Sequence, residues 1–307
     1  MPASRSPPLP RRLLHPRYWP AWLGVASIQI VAWLPYRMQQ ALGWGIGRLA
    51  FHLMSQRRHI AACNLALCFP QLDAQARSRL LRKHFIDIGR MLCEFAVAWM
   101  GSDRALRRIP VKIHGLKHIA AAQAAGRGVI LVGAHFSHLE LCARLLSQRI
   151  PIAGMYRVMD SPVFEYVVLR ARRGYARTMF TRDDLRSVVR DLRRGGVLWY
   201  APDQDMLGKG YVFAPFFGVS AATITATHHL ARMSGAAVIP FFHRRLHRGG
   251  YVIHIKAPLS GFPSDDVTAD TARINAIIER MVEQAPAQYL WIHRRFKTRP
   301  PGQPSVY

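Results

Sequence analysis

The sequence predicts an α/β fold, a largely parallel sheet flanked by helices, with a membrane helix at its amino end. Three observations carry this expectation. Short apolar runs alternate with longer segments of helical period from residue 74 onward. No internal repeat and no long linker interrupts that alternation, and Pro-rich stretches occur only at the ends. Finally, Tyr18 to Tyr36 holds no charged residue and is bracketed by Arg17 and Arg37.

The expected strands cover residues 128–133, 152–156, 197–201, 237–242 and 251–256. The first reads Gly128-Val-Ile-Leu-Val-Gly133, a continuous apolar run of the kind a parallel sheet buries on both faces. The expected helices cover 74–100, 139–148, 162–173, 183–193, 222–233 and 269–284. Strand–helix alternation of this sort gives a sheet covered by helices, and in such sheets the chemistry gathers at the carboxyl ends of strands. Three parts follow: a basic tail over 1–17, a membrane-spanning or membrane-embedded helix over 18–36, and one α/β domain over 37–307.

Nineteen residues of helix reach about 28 Å, close to the hydrocarbon thickness of a bilayer. Trp19, Trp22 and Trp33 sit near the two ends, where amphipathic rings favour the membrane interface. Pro20, Ser27 and Gln29 dilute the run, so an apolar helix packed on the domain is the competing reading. Arginines flank the segment equally on both sides, and orientation stays open. No Asp or Glu precedes Asp73, so the whole first quarter suits an anionic lipid surface.

The chain has 43 Lys and Arg against 17 Asp and Glu, a net charge of +26, which calls for an anionic partner. Basic residues spread along the whole chain, with no stacking aromatic module or zinc-finger signature, fit nucleic acid poorly. Cys63, Cys68, Cys93 and Cys142 form no CxxC pair, which suits a reduced, cytosol-facing domain. The fourteen histidines include no HExxH and no array with zinc spacing, so neither a metal nor a cofactor is expected.

The chemistry concentrates in Gly133-Ala-His135-Phe-Ser-His-Leu-Glu140. His135 stands where the chain leaves an apolar strand, and Glu140 opens the following helix, whose positive amino end favours a carboxylate. A loop histidine facing a first-turn glutamate makes a general-base pair: His135 takes the proton of an attacking hydroxyl, and Glu140 holds the imidazole. His138 is the rival base, and a purely structural histidine the alternative; Ser137 and Cys142 read as packing or capping residues. No Gly-x-Ser-x-Gly elbow occurs, which argues against a serine acyl-enzyme. A second apolar strand ends in Pro202-Asp203-Gln204-Asp205, two carboxylates at the same sheet edge, where site organisation competes with loop solvation. Arg157, Arg170, Arg172, Arg173, Arg177 and Arg182 crowd nearby; most suit a solvated face, and one or two suit phosphate.

Over nearly its whole length the chain resembles the Kdo-dependent, lauroyl-type lipid A biosynthesis acyltransferases. The likeness rests on Leu14 to Trp19, Asn64 to Pro70, Gly133 to Glu140, Tyr156-Arg157, Tyr200 to Asp203, Ala231 to Gly235 and His293 to Pro300. The resemblance places a glycerolipid-acyltransferase-like HxxxxD/E motif on His135 and Glu140 and further functional residues on Arg172 and Asp203. It implies transfer from acyl-acyl carrier protein to a hydroxyacyl chain of a Kdo-bearing lipid A precursor, on the cytoplasmic side of the inner membrane. Gln204 departs from the family's Pro-Asp-His-Asp, which bears on substrate contacts. A glycerophospholipid acyltransferase with the same base, or a non-enzymatic basic membrane- or nucleic-acid-binding protein, are the alternatives.

Overall fold

The apolar runs become strands and the periodic segments helices in a computed structural model, which describes residues 9–206 and 210–307. The helices are α1 (Trp19–Trp33), α2 (Tyr36–Leu53), α3 (Ser55–Cys68), α4 (Ala74–Met100), α5 (Asp103–Arg107), α6 (Leu116–Ala124), α7 (Leu139–Ser147), α8 (Pro162–Tyr175), α9 (Leu185–Arg193), α10 (Ala226–Ser234) and α11 (Val267–Gln284). The strands are β1 (Val111–His114), β2 (Val129–Val132), β3 (Ala153–Tyr156), β4 (Thr178–Thr181), β5 (Val197–Tyr200), β6 (Tyr211–Phe216), β7 (Val219–Ile224), β8 (Ala237–Arg245) and β9 (Tyr251–Ile255).

Seven strands form one sheet in the order β1-β9-β8-β2-β5-β3-β4. Every neighbouring pair is parallel except β8–β9. Strand β2 lies between β8 and β5, and all four of its residues are fully buried. Ile130 and Val132 face one apolar cluster with Leu198 and Val238, while Val129 and Leu131 face another with Val197 and Ala237. That double burial is why the strand reads as an unbroken apolar run. Because β2, β3 and β5 run parallel, the loops at their carboxyl ends open on one edge of the sheet.

Helix α4 matches its expected bounds; its first turn is capped by the Asp73 side chain, which accepts from the Ala76 N–H at 2.6 Å. Helix α10 begins at Ala226 rather than at 222, because residues 222–224 pair with β6 in a separate β6–β7 hairpin. Its turn uses Phe217 and Gly218, both at positive φ.

The expected membrane helix over 18–36 does not form as one span. Helix α1 stops at Trp33, Leu34 is extended, and Pro35 leads the chain into α2. Proline forces its predecessor out of the helical region, so the break is local and steric. Fifteen residues give about 22 Å, against about 30 Å of hydrocarbon. Among the described residues, no helix is long and apolar enough to cross a membrane. The Gln39 amide caps the carboxyl end of α1, donating to Leu34 O at 2.8 Å and Val31 O at 3.2 Å. Of the basic tail, residues 1–8 lie outside the described residues; Arg11–Leu14 and Pro16–Tyr18 form 3₁₀ turns, and Trp22 Nε1 donates to Leu13 O at 2.8 Å.

Helix α1 rests on α4 and α8, so the competing reading of a packed apolar helix holds on one side. On the other, Trp19, Leu23, Ile30 and Trp33 are 57–74% exposed. Helix α2 crosses α4 backbone to backbone. A Cβ on Gly89 would collide with the Gly43 carbonyl and the Gly47 backbone, so the crossing admits no side chain there.

Candidate active site

Beyond β2 the chain passes through Gly133-Ala134 to His135, and β5 delivers Asp203 from the adjacent position in the sheet. Asp203 Oδ1 lies 2.7 Å from His135 Nδ1, and Oδ2 accepts the His135 backbone N–H at 3.0 Å. With Nδ1–H donating to Asp203, the lone pair of Nε2 points from the opposite edge of the ring. Asp203 is 1% exposed. Burial pushes its carboxyl upward, but the charge and two N–H groups of His135 outweigh that and hold it at about 2.

The loop is fixed from a third direction by residues far along the chain. The Leu290 N–H donates to His135 O at 2.9 Å, and the Ser137 N–H donates to Gln288 O at 2.8 Å. Trp199 stands edge-on to the imidazole, with ring centroids 6.1 Å apart.

Glu140 is the second residue of α7 and is buried. Arg172 of α8 grips it with both arms of its fork, Nε to Oε1 at 2.8 Å and Nη2 to Oε2 at 2.7 Å. Tyr175, one turn further on α8, donates its hydroxyl to Oε1 at 2.5 Å. Burial raises the Glu140 carboxyl, yet the hydrogen bonds and charge of Arg172, then Tyr175, bring it below its ordinary value. The imidazole is therefore held by Asp203 and not, as the spacing suggested, by Glu140. The physical reason is adjacency: β2 and β5 pair directly, so their end loops touch, while Glu140 turns toward α8.

His135, Glu140 and Arg172 line one cavity of about 380 Å³, whose other walls are largely apolar and include Met91, Phe95, Met155, Met179 and Trp199. Arg157 also lines it and pairs with the exposed Asp160 at 2.8 Å. The rest of the basic run does not converge: Arg177 pairs with Asp191, Arg170 contacts the Tyr166 hydroxyl at 3.4 Å, and Arg173 and Arg182 are exposed. Asp205 faces elsewhere, accepting from Thr298 N at 2.6 Å and Thr298 Oγ1 at 3.0 Å. The rival base His138 is fully buried, as is Cys142, and Ser137 is 1% exposed. Burial and then the nearby Arg245 charge push the His138 imidazole well below its usual range.

Tyr175, Trp199 and residues 288–290 escaped the sequence reading. Tyr175 carried a usable signal, since it follows Arg172 by three residues on one helix face. The contact of Leu290 with His135 has no local signature at all.

A family model described as bacterial lipid A biosynthesis acyltransferase matches residues 7–298. The chain is 42% identical to the lipid A biosynthesis lauroyltransferase of Escherichia coli K12, over 96% of this chain and 97% of that one. It is 40% identical to the palmitoleoyltransferase and 30% identical to the myristoyltransferase of lipid A biosynthesis from the same strain, again over nearly the full lengths. This chain belongs to the bacterial lipid A biosynthesis acyltransferases. It is thus an O-acyltransferase of lipopolysaccharide synthesis, and the resemblance drawn from its motifs holds. An oriented imidazole on the wall of an apolar cavity is an arrangement suited to ester formation on a lipid.

Proposed function

We propose that this acyltransferase moves a fatty acyl chain from acyl-acyl carrier protein to the free hydroxyl of a hydroxyacyl chain on a Kdo-bearing lipid A precursor. The observation that carries the reading is the His135–Asp203 pair on the wall of the apolar cavity. The acyl chain lies along the apolar wall, with its thioester carbonyl near His135. Nε2 takes the hydroxyl proton as that oxygen attacks the carbonyl; the C–S bond breaks, and the departing thiolate receives the proton back from the imidazolium. Asp203 holds the tautomer and stabilises the imidazolium. Glu140 anchors Arg172 on the cavity wall, where its remaining Nη1 donors suit a phosphate of the acceptor or the developing oxyanion. Attack is direct, because Ser137 and Cys142 are buried away from solvent and no serine elbow occurs.

The enzyme works at the cytoplasmic face of the inner membrane, lying on the bilayer rather than crossing it. Supporting this are the exposed Trp19, Leu23, Ile30 and Trp33 of α1, the exposed Leu49 and Leu53 of α2, and the absence of any acidic residue before Asp73. The anionic carrier protein and the anionic lipid both suit the net charge of +26.

The test is a label transfer. Acyl-acyl carrier protein with a labelled chain is incubated with the enzyme alone, then with the Kdo-bearing precursor, then with a precursor whose acceptor hydroxyl is blocked. Label passing to the free-hydroxyl lipid only, with none retained on denatured enzyme, supports the proposal. Transfer to glycerol phosphate instead, or a stable acyl-enzyme competent to pass label on, overturns it.

A further inference from the structure

Beneath the His135 loop three side chains converge that the reaction does not use. His138 caps the amino end of α7, Cys142 lies one turn into that helix, and His243 comes from β8, across the sheet edge. All three are completely buried. One ligand-type atom from each, two imidazole nitrogens and a sulfur, lies within 4.8 Å of the others. The two imidazole rings meet at 89° with centroids 4.7 Å apart, so they do not stack face to face.

The nitrogens are the telling part. Neither ring nitrogen of His243, nor Nε2 of His138, finds a hydrogen-bond partner among the described residues. An orphaned buried polar atom is costly, and here three cluster in one place. His138 Nδ1 lies 3.4 Å from Ser137 Oγ, which in turn accepts from Arg245 Nη2 at 3.3 Å. A ring that donates from Nδ1 to such a hydroxyl presents the lone pair of Nε2 inward, the outer-shell arrangement that ligating histidines favour. His243 and Cys142 have no other assignment: the first is neutral in its burial, and the second is too buried to act as a nucleophile.

We propose that His138, Cys142 and His243 hold a zinc ion that fastens the His135 loop and the start of α7 to β8. Two imidazoles and a thiolate form a donor set for a borderline-soft ion. Bonds of about 2.0–2.3 Å set zinc ligand atoms about 3.3–3.8 Å apart, so the cluster closes by roughly an ångström on binding. Loading releases the thiol proton and leaves the ion with one unit of positive charge. Beside it, Arg245 is enclosed by Asp87 and Glu94, and Asp87 also meets Arg90 at 3.7 Å, so two carboxylates face two guanidiniums. With no route from solvent, the ion enters as the chain folds.

The experiment uses the full chain purified in detergent. Elemental analysis is expected to find one zinc per chain. In Cys142→Ser, near-isosteric and checked for native circular dichroism, zinc affinity falls by more than the roughly 10–100-fold that the loss of an outer-shell partner costs. Cys68→Ser, which alters a buried cysteine outside the cluster, keeps the metal. Chain refolded with cobalt(II) shows a thiolate-to-cobalt charge-transfer band that Cys142→Ser lacks; this spectrum decides the matter even where His243→Ala fails to fold. Protein without stoichiometric metal, zinc affinity unchanged in Cys142→Ser, stoichiometric copper in its place, or cobalt bound without the sulfur band each overturns the proposal.

Discussion

His135 and Asp203 meet twice, ring to carboxylate at 2.7 Å and backbone N–H to carboxylate at 3.0 Å, although 68 residues separate them. The double contact fixes both the loop and the imbalance between the two ring nitrogens, so the imidazole and its carboxylate are held as a unit.

His135→Ala should therefore lower kcat by roughly 10²–10⁴-fold, the worth of a positioned general base. Asp203→Asn should lose a similar amount, because an amide at that place favours the wrong tautomer. The double variant should be no slower than the worse single one, as expected of residues that act together. Steady-state rates on acyl-acyl carrier protein measure this; multiplicative losses would show that the two act separately.

Acid should expose the Asp203 carboxylate as a stability element. Its folded value of about 2 lies below the ordinary 3.8, so its contribution is complete above about pH 4 and disappears as the pH falls through about 2. The shift corresponds to about 2 kcal/mol. Denaturant unfolding in detergent between pH 5 and pH 2.5 should show wild type losing this stability, with a shallower decline in Asp203→Asn. Glu140, also lowered, keeps the variant's decline from vanishing. Parallel curves would refute the assignment.

Glu140 and Arg172 should couple to each other and not to the base. Glu140→Gln and Arg172→Met should each reduce kcat/KM, and a double-mutant cycle should return a coupling of about 0.5–3 kcal/mol. Neither change should move the acid limb of the kcat profile. If Glu140→Gln moves that limb while Arg172→Met does not, Glu140 is the partner of His135 after all.

The proposed attachment through the apolar faces of α1 and α2 should resist salt, which screens charge and leaves apolar burial intact. Replacing Trp19, Leu23 and Trp33 together with Gln should convert salt-resistant membrane binding into salt-sensitive binding. Sedimentation of membranes at low and high salt reads the change. Full release of the wild type by salt alone would mean that charge holds the protein and the exposed side chains do not.

The sheet was legible because its inner strands are buried on both faces: residues 128–133 and 197–201 read as strands without any tertiary information. Strands β1 and β4, four residues each at the two sheet edges, carry no such run and went unseen. Residues 222–224, Ala-Thr-Ile, stand at the start of an expected helix, although two of the three are β-branched and suit the strand that pairs with β6. Uncharged length was over-read at 18–36, where Pro35 mattered more than composition. His135, Glu140, Arg172 and Asp203 come together as two contacting pairs: β2 and β5 end side by side, and the last turn of α8 reaches the first turn of α7. Which carboxylate serves which cation was beyond the sequence, because strand order decides it and spacing does not. The buried His138–Cys142–His243 cluster was hidden for the same reason: β8 joins α7 only in the folded chain.

The clasp of residues 288–290 on the His135 loop bears on the order in which the molecule is made. Chains emerge from the ribosome amino end first and fold in that order. Helices α1 to α4, with their apolar and basic surfaces, leave the ribosome about two hundred residues before Leu290. The nascent chain thus has the helices of the proposed membrane attachment in place while the His135 loop still lacks its last support. On that proposal, a chain can reach the bilayer before its His135 loop is complete, and acyl transfer would begin only beside the lipid.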